Sequence, residues 1–249
     1  MIHVGTSGWH YQDWKGAFYE DGLPQRRWLE FYVRRFATVE VNNSFYRLPS
    51  ANTFERWRTE TPDGFVMAIK ASRFITHLRR LRDPEDPLRL LWERAELLGP
   101  RLGPVLFQLP PRFPADVDRL AALLRVLPRG MRAAFEFRDA SWHTPDVFDR
   151  LDRAGAALVW ADRPGTRFGL PTTGGWAYVR FHQGRSDAPA YPRSKLRRWA
   201  DRIAELPVRD AWIYFDNDTG AAAPRDATTL RSLLRERGVR TADPPPGRR

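Results

Sequence analysis

The sequence predicts an α/β protein with the architecture of a TIM-like (β/α)8 barrel, formed by a single domain that spans residues 1–240. Eight short runs of β-branched and aromatic residues recur along the chain, and most are followed by turn residues and an amphipathic helical pattern. Strands that alternate with helices indicate parallel βαβ units. Eight such units in 249 residues favour a closed barrel over an open sheet.

The elements follow one another in a regular order. The predicted strands are Ile2–Thr6, Thr38–Asn43, Phe65–Lys70, Val105–Leu109, Arg132–Arg138, Ala157–Ala161, Ala177–His182 and Trp212–Asn217. The predicted helices, which carry apolar residues at helical spacing, are Gln25–Phe36, Pro87–Leu98, Ala115–Leu127, Pro145–Ala154, Ser194–Leu206 and Ala227–Arg237.

The sixth unit and the C-terminus depart from this pattern. The segment GTRFGLPTTGG, residues 165–175, separates strands 6 and 7 and is too rich in glycine for a full helix. We therefore expect a loop in place of the outer helix at this position. Residues 241–249, with three consecutive prolines, predict a flexible C-terminal tail.

Composition excludes several classes of function. Hydrophobic residues make up 42% of the chain, which excludes wholesale disorder. The absence of Cys excludes disulfides, thiolate metal sites, iron–sulfur clusters and a cysteine nucleophile. The N-terminal residues lack the pattern of a signal peptide, and no apolar run approaches the ~20 residues of a membrane span. We expect a soluble, cytoplasmic protein with no membrane partner.

The formal net charge of +11 is consistent with a nucleic-acid partner. Only three of the 41 basic residues are Lys, however, and the other 38 are Arg. A GC-rich coding sequence produces the same bias without any ligand. The total charge therefore leaves both interpretations open, and the positions of individual charges are more informative.

Strand alternation assigns a set of charged side chains to the barrel interior. Alternate residues of a barrel strand face inward and outward, and the purely apolar set must face the outer helices. The inward polar set near the C-terminal strand ends is Glu40, Asn42, Lys70, Glu136, Arg138, Arg180 and His182. Barrel interiors are usually filled by Val, Ile and Leu. The six ionisable groups of this set must therefore pair with one another or bind a ligand.

The signs of these charges favour an anionic ligand. Cations outnumber carboxylates in the inward set, which suits a phosphate or a carboxylate. We expect Lys70, Arg138 and Arg180 to bind the anion, and His182 to transfer a proton. An aromatic rim either stacks on a sugar or base, or packs as core or lid. The residues of this rim are Trp9, Tyr11, Trp14, Tyr46 and Trp142.

Seven segments occur along the chain in a characteristic order: GTSGWHYQDWKGAFY, VEVNNSFYRLP, AIKASRFITH, FQLPPRF, FEFRDASW, YVRFHQG and YFDNDTGAAAP. This order resembles the YecE-like family (domain of unknown function 72), and the match covers nearly the whole chain. The resemblance implies a TIM-like barrel. The family has no established activity, so the reaction stays open.

The resemblance also implies a set of site residues. The family's motif positions fall on Trp9, Trp14, Glu40, Asn42, Tyr46, Lys70, Thr76, His77, Gln108, Glu136, Arg138, Trp142, Arg180, His182, Phe215 and Asn217. Gln108 and Asn217 join the predicted substrate-binding residues on this ground alone. The sequence departs from the family pattern at HQG, where HG is usual. It also departs at Asp216, which we treat as a lesser candidate because small uncharged residues are frequent there.

Several chemistries remain open. Glu40 and Glu136 are candidate bases or, with His182 and Asp216, ligands of a single divalent metal. The chain has only five His, which argues against a multi-zinc cluster, and we predict no other cofactor. The favoured function is an enzyme acting on a sugar phosphate or a nucleic-acid phosphodiester. The alternatives are a metal-free, glycosidase-like hydrolase with Glu40 and Glu136 as its carboxylate pair, and a non-catalytic nucleic-acid-binding barrel. The sequence does not indicate an oligomeric state.

Overall fold

The computed structural model describes residues 1–163, 169–183 and 188–246, and it contains all eight predicted strands. The strands are β1 Ile2–Thr6, β2 Thr38–Val41, β3 Val66–Lys70, β4 Leu102–Gln108, β5 Ala133–Glu136, β6 Ala157–Asp162, β7 Ala177–Phe181 and β8 Ala211–Phe215. Neighbouring strands pair in parallel, in the order β1-β8-β7-β6-β5-β4-β3-β2. The predicted α/β barrel is confirmed.

The seam between β1 and β2 brings the ends of this sheet together. Ser7 forms a parallel bridge with Glu40, and the Gly8 amide donates to the Glu40 carbonyl at 2.7 Å. Gly5 makes this close approach possible, since a Cβ at this position would lie 2.3 Å from the Thr38 carbonyl oxygen. A few contacts at the C-terminal ends of two strands therefore nearly close the barrel.

Helices pack around the outside of the strands. They are α1 Trp28–Val33, α2 Asn43–Tyr46, α3 Ala51–Glu60, α4 Glu85–Ala95, α5 Val117–Arg125, α6 Pro145–Arg153, α7 Arg193–Ala204 and α8 Ala222–Arg235. Helix α3 is not predicted by the sequence, because only Phe54 and Trp57 of this helix are buried and two apolar residues do not form an amphipathic pattern. The sequence also does not predict α2 or the π-helical turn Phe74–Leu78 that follows β3.

Residues 163 and 169–176, which connect β6 to β7, contain no helix. Residues 165–168 of the predicted loop lie outside the described residues. The loop instead packs against β6 through side-chain hydrogen bonds. Thr173 Oγ1 accepts from the Leu158 amide at 2.8 Å and donates to the Ala156 carbonyl at 2.7 Å. The loop therefore covers the outer side of β6 where a helix would otherwise pack.

The barrel interior is divided into two layers. Small and aromatic residues fill the middle and the N-terminal end: Ala68, Leu106, Ala134, Ala157, Val159, Trp176, Tyr178, Trp212 and Tyr214. His3 stacks on Trp212 with ring centroids 3.9 Å apart, and the Arg132 guanidinium lies 4.6 Å from the Trp176 ring centroid. These side chains close the N-terminal end, and the buried carboxylates Glu40 and Glu136 lie at the C-terminal end.

The backbone near the C-terminus is hydrogen bonded to β1. The Ile2 amide donates to the Arg240 carbonyl at 3.0 Å, and the Ala242 amide donates to the Ile2 carbonyl at 2.8 Å. The flexibility expected of residues 241–249 stays a prediction.

Among the helices of the described residues, none is long and apolar enough to cross a bilayer.

We predict that Gly5→Ala destabilises the barrel by about 1–3 kcal/mol or more, because the added methyl meets a backbone oxygen that cannot move aside. Gly103→Ala is the matched control, since its nearest clash is with the side-chain methyl Cγ1 of Val66, at 2.7 Å. Urea denaturation gives the free energy of unfolding of each variant. Equal losses in the two variants would contradict the close approach at the seam.

Candidate functional site

The C-terminal end of the barrel holds a buried ionic network centred on Arg180. Its guanidinium is completely buried and contacts three carboxylates. Nη2 lies 2.7 Å from Glu40 Oε1, and Nε lies 3.1 Å from Glu40 Oε2. Nη1 lies 2.7 Å from Glu136 Oε2, and Nη2 is also 3.1 Å from Asp216 Oδ2. One cation therefore joins acidic groups from β2, β5 and the segment after β8.

Neutral side chains orient the two buried glutamates. Glu40 accepts hydrogen bonds from Ser7 Oγ at 2.5 Å and from the Tyr178 hydroxyl at 2.6 Å. Glu136 accepts one from Gln108 Nε2 at 2.9 Å. Gln108 thus lies in the network, where it positions a carboxylate. These donors satisfy the remaining oxygen lone pairs, as a buried ion cluster requires.

His182 bridges two carboxylates. Its Nε2 lies 3.1 Å from Glu136 Oε1, and its Nδ1 lies 3.0 Å from Asp216 Oδ2. Burial alone would lower the pKa of His182, but the charge of Glu136 and the hydrogen bond to Asp216 outweigh it and raise this pKa above its ordinary value of 6.5. Both ring nitrogens therefore lie within hydrogen-bonding distance of carboxylates, which favours the protonated imidazole.

The carboxylates are correspondingly stabilised in their ionised form. Burial favours neutral Glu136, yet the charges of His182 and Arg180 hold its pKa well below the ordinary range. Burial acts in the same way on Asp216, and Arg180 and His182 lower the pKa of that residue to about 2. Glu136 and Asp216 are bases or hydrogen-bond acceptors at neutral pH, and a general-acid role falls to His182.

Lys70 lies at the edge of this network with an ammonium group that has no ion pair. The side chain is 9% exposed, and Nζ lies 4.4 Å from the Phe45 ring centroid. Within the part of the chain that the structure describes, no carboxylate oxygen lies within 4.0 Å of Nζ and no hydrogen bond is formed by it. Burial and Arg180 lower the pKa of Lys70, while Glu40, Asp216 and Glu136 oppose this shift.

The side of the mouth formed by the segments after β3 and β5 is cationic. His77 lies there against Phe45, with ring centroids 4.9 Å apart. Burial, followed by the charges of Lys70 and Arg138, lowers the pKa of His77 to about 4. Arg138 is exposed rather than inside the barrel, because β5 ends at Glu136 and strand alternation no longer applies beyond it. Arg138 therefore lies at the rim of the mouth.

A cavity of about 380 Å³ adjoins the opposite side of the network. Its lining residues are His182, Gln183, Ala188, Pro189, Asp216, Asn217, Asp218 and Thr219. The His182–Asp216 pair thus separates the buried Glu136 from a space that admits a small molecule. A proton held on His182 is accessible from this cavity.

The predicted aromatic rim is mostly core. Trp14 and Trp142 are completely buried, with Nε1 of each donating at 2.7 Å to the carbonyls of Asp218 and Phe113, respectively. Trp9 is 5% exposed and packs edge-on against Trp57. Other aromatic side chains cover these rings, so in this structure they pack as core. The substrate-binding role predicted for them stays a prediction.

The remaining predicted residues lie at different depths. Tyr46 is 72% exposed at the end of α2, beside Phe45. Asn42 Nδ2 lies 3.4 Å from Asp216 Oδ1, and Asn42 Oδ1 is buried without a partner among the described residues. Asn217 Nδ2 donates to Asp226 Oδ2 at 2.7 Å, which ties the end of β8 to α8. Asn42 therefore faces the network, and Asn217 lines the cavity.

Two charged residues of the site were underestimated or missed. Asp216, a lesser candidate in the sequence, faces the network because it continues the inward alternation of Trp212 and Tyr214 on β8. Arg163 follows β6 directly, and its Nη2 lies 3.5 Å from Glu136 Oε1. The available signal for both was their position as the first residue after a strand.

The geometry argues against the single divalent metal that the sequence left open. The four proposed ligands, Glu40, Glu136, His182 and Asp216, are all engaged by Arg180 or by one another. The guanidinium occupies the position between the carboxylates that a divalent ion would need. No group of three or more His, Asp or Glu suited to a metal occurs within residues 1–163, 169–183 and 188–246.

We predict that Arg180→Met destabilises the protein by about 3–5 kcal/mol, because it leaves three carboxylates without their shared buried cation. Arg197→Met, on the exposed side of α7, is the matched control and should change stability little. Chemical denaturation at pH 7 measures both. A stable Arg180→Met variant would show that the network contributes little to folding.

We predict that His182 titrates above pH 6.5 and that Asp216→Asn lowers its pKa. Since folding raises this pKa, the stabilisation is fully present below about pH 6.5 and is lost as the pH rises through the folded value. NMR titration of the ring protons tests this, with His77 as internal control because its pKa shifts the other way, to about 4. A pKa at or below 6.5 for His182 would contradict the double carboxylate contact.

Comparison with known proteins places this barrel in a family. The family described as "Protein of unknown function DUF72" matches residues 3–249. UPF0759 protein YunF of Bacillus subtilis (strain 168) is 27% identical, over 94% of this chain and 95% of YunF. UPF0759 protein YecE of Escherichia coli (strain K12) is 32% identical, over 55% of this chain and 48% of YecE. The crystal structure of a DUF72 family protein from Thermotoga maritima MSB8 superposes with a TM-score of 0.84 at 27% identity, over 94% of this chain and 99% of that one. The chain therefore belongs to the DUF72 family, as its seven sequence segments indicated.

Proposed function

We propose that this barrel is an enzyme that binds a phosphate- or carboxylate-bearing substrate at its C-terminal mouth and protonates it from His182. The observation that carries the proposal is the buried Lys70 ammonium, which has no counter-ion among the described residues and lies at the edge of the network that contains His182. A buried charge without a partner is costly, so an anionic ligand would stabilise this arrangement.

The anion site would be formed by Lys70 and Arg138. Arg180 was predicted to share this role, but three carboxylates occupy its guanidinium, and it is better placed to hold the network together. Lys70 offers three N–H donors in a weakly polar setting, and Arg138 offers an exposed fork at the rim. The depressed pKa of His77 supports a positive potential in this part of the mouth.

The proton would come from His182. It is the polarised group nearest the cavity of about 380 Å³, and Glu136 and Asp216 keep it oriented and charged. General-acid catalysis of this kind assists a leaving oxygen, or stabilises charge that develops on a carbonyl or phosphoryl oxygen. Glu136 and Asp216 would act as positioning residues that hold the imidazole in place for this transfer.

The geometry gives less support to the glycosidase-like alternative. Such enzymes need one carboxyl group with a raised pKa as the acid. The pKa of Glu136 is held well below its ordinary range, and both Glu40 and Glu136 bind the same guanidinium.

The cysteine-free composition supports the further proposal that the protein acts in the cytoplasm.

A nucleic-acid ligand is the second candidate, favoured by the exposed ring of Tyr46. This ring is 72% exposed, and through Phe45 it adjoins both His77 and Lys70. Phe74, 43% exposed, lies in the π-helical turn between Arg73 and Arg79. Aromatic faces interleaved with cations are typical of surfaces that bind single strands.

We predict that Lys70→Met weakens binding of inorganic phosphate or a sugar phosphate by about tenfold or more, because the ligand loses a desolvated cation. Lys15→Met, a charge change at an exposed lysine, is the matched control. Isothermal titration calorimetry measures the affinities. His182→Gln should retain binding and abolish turnover of any substrate found by screening. Binding that is indifferent to Lys70→Met would refute the proposed anion site.

For the nucleic-acid candidate, we predict that a single-stranded oligonucleotide binds with an affinity that falls steeply with salt and is reduced by Tyr46→Ala. Glu136→Gln separates catalysis from simple binding, since it should spare affinity and remove only turnover. Fluorescence anisotropy provides the affinities. A shallow salt dependence, or no effect of Tyr46→Ala, would eliminate this candidate.

A further inference from the structure

A second cationic cavity lies on the outer wall of the barrel, apart from the network at the mouth. Its volume is about 560 Å³, and its lining residues are Ala17, Phe18, Arg35, Pro224, Arg225, Thr228, Thr229 and Arg231. It is bounded by α8 on one side, and on the other by the segments that precede and follow α1. None of these residues belongs to the proposed substrate site.

Neutral groups hold each of the three guanidiniums in this cavity. Arg35 lies flat on Phe31, with its guanidinium carbon 3.5 Å from the ring centroid. Arg231 Nη1 donates to the Arg35 carbonyl at 2.7 Å. Arg225 donates from Nε and Nη2 to the carbonyls of Ala221 and Gly220, at 3.1 and 3.0 Å. The side chains are thereby oriented while their charges stay uncompensated.

No carboxylate oxygen of the described residues lies within 4.0 Å of any of the three guanidiniums. The acidic groups that act on them from further away are Glu20 on Arg35, Asp243 on Arg231, and Asp226 beside Arg225. Asp243 is already paired with Arg235, and Asp226 binds Asn217 and the Tyr191 amide. Asp243 and Asp226 therefore have other partners, and Glu20 lies beyond ion-pairing distance of Arg35.

The electrostatic effects on these arginines are mixed. Burial and, to a smaller degree, Arg34 lower the pKa of Arg35, while Glu20 opposes this shift. Burial and the neighbouring Arg235 lower the pKa of Arg231, while Asp243 opposes this shift. Both guanidiniums stay charged at neutral pH, since arginine remains protonated in proteins. An anion in the cavity would add a favourable interaction with each of them.

We propose that this cavity is a binding site for a phosphate-bearing small molecule. Three oriented guanidiniums match the tetrahedral, multiply charged oxygens of a phosphate or diphosphate, which accept parallel N–H···O bonds. The volume lies in the range of small-molecule pockets and exceeds the needs of a lone phosphate. The Phe18 ring provides apolar surface for the remainder of the ligand. The site is independent of the function proposed for the mouth.

Pyrophosphate is the probe for this site, used with the full chain in isothermal titration calorimetry at low ionic strength. The Arg35→Ala/Arg231→Ala variant should weaken binding at the outer wall by about tenfold or more. Arg197→Ala/Arg198→Ala is the control with the same change of charge, at two exposed residues of α7. Lys70→Met removes a cation from the mouth alone, so it identifies binding that occurs there.

The inference stands if the Arg35/Arg231 pair weakens binding while the α7 pair and Lys70→Met leave a site of unchanged affinity. It is overturned if wild-type protein binds no pyrophosphate, if both arginine pairs weaken binding equally, or if Lys70→Met alone abolishes binding. Arg225→Ala, at an exposed residue, repeats the test if the double variant fails to fold. A crystal structure with pyrophosphate is the second measurement, and density away from the three guanidiniums also overturns the inference.

Discussion

The interior of this barrel depends on one buried guanidinium. Arg180, from β7, neutralises carboxylates that arrive from β2, β5 and the end of β8, on opposite sides of the barrel. Without it, three acids would share a low-dielectric space and repel one another. Arg180 also determines how the charged side chains of His182 and Lys70 are arranged around the carboxylates. Because it occupies the carboxylates, His182 must share them as a charged donor, and Lys70 is left beyond ion-pairing distance.

This division of charge gives the mouth two different sides. One side presents His182 to a cavity. The other presents Lys70 and Arg138, which have no carboxylate partner among the described residues, next to the exposed Tyr46 ring. A substrate with an anionic group and a proton-accepting oxygen would match both sides at once. Such pre-organisation is characteristic of catalytic sites, since the charges are fixed before the substrate arrives. The small and aromatic residues below close the barrel, so the chemistry is confined to this end.

Strand periodicity explains what could be predicted from the sequence. Within a strand, alternation is strict, and it correctly directed Glu40, Glu136 and Arg180 inward. The same alternation continues past the strand ends at His182 and Asp216, which both reach the network. It does not fix the depth of a side chain, which is why Arg138 was placed inside although it is exposed at the rim. Aromatic residues were ambiguous for another reason. Trp14 and Trp142 resemble rim residues in the sequence, but both are buried in the fold, and their indole N–H groups donate to the carbonyls of Asp218 and Phe113, which are distant in sequence.

The central claim is that the Arg180 network leaves the Lys70 ammonium available to an anion, and 15N-lysine labelling tests it directly. The chain has only three lysines, so the ammonium spectrum holds three signals, and Lys195 is already paired with Asp162 at 2.8 Å. On titration with inorganic phosphate, we expect the Lys70 signal to shift saturably while those of Lys15 and Lys195 stay nearly constant. Equal small shifts of all three signals, or a Lys70 signal that does not move, would contradict the claim.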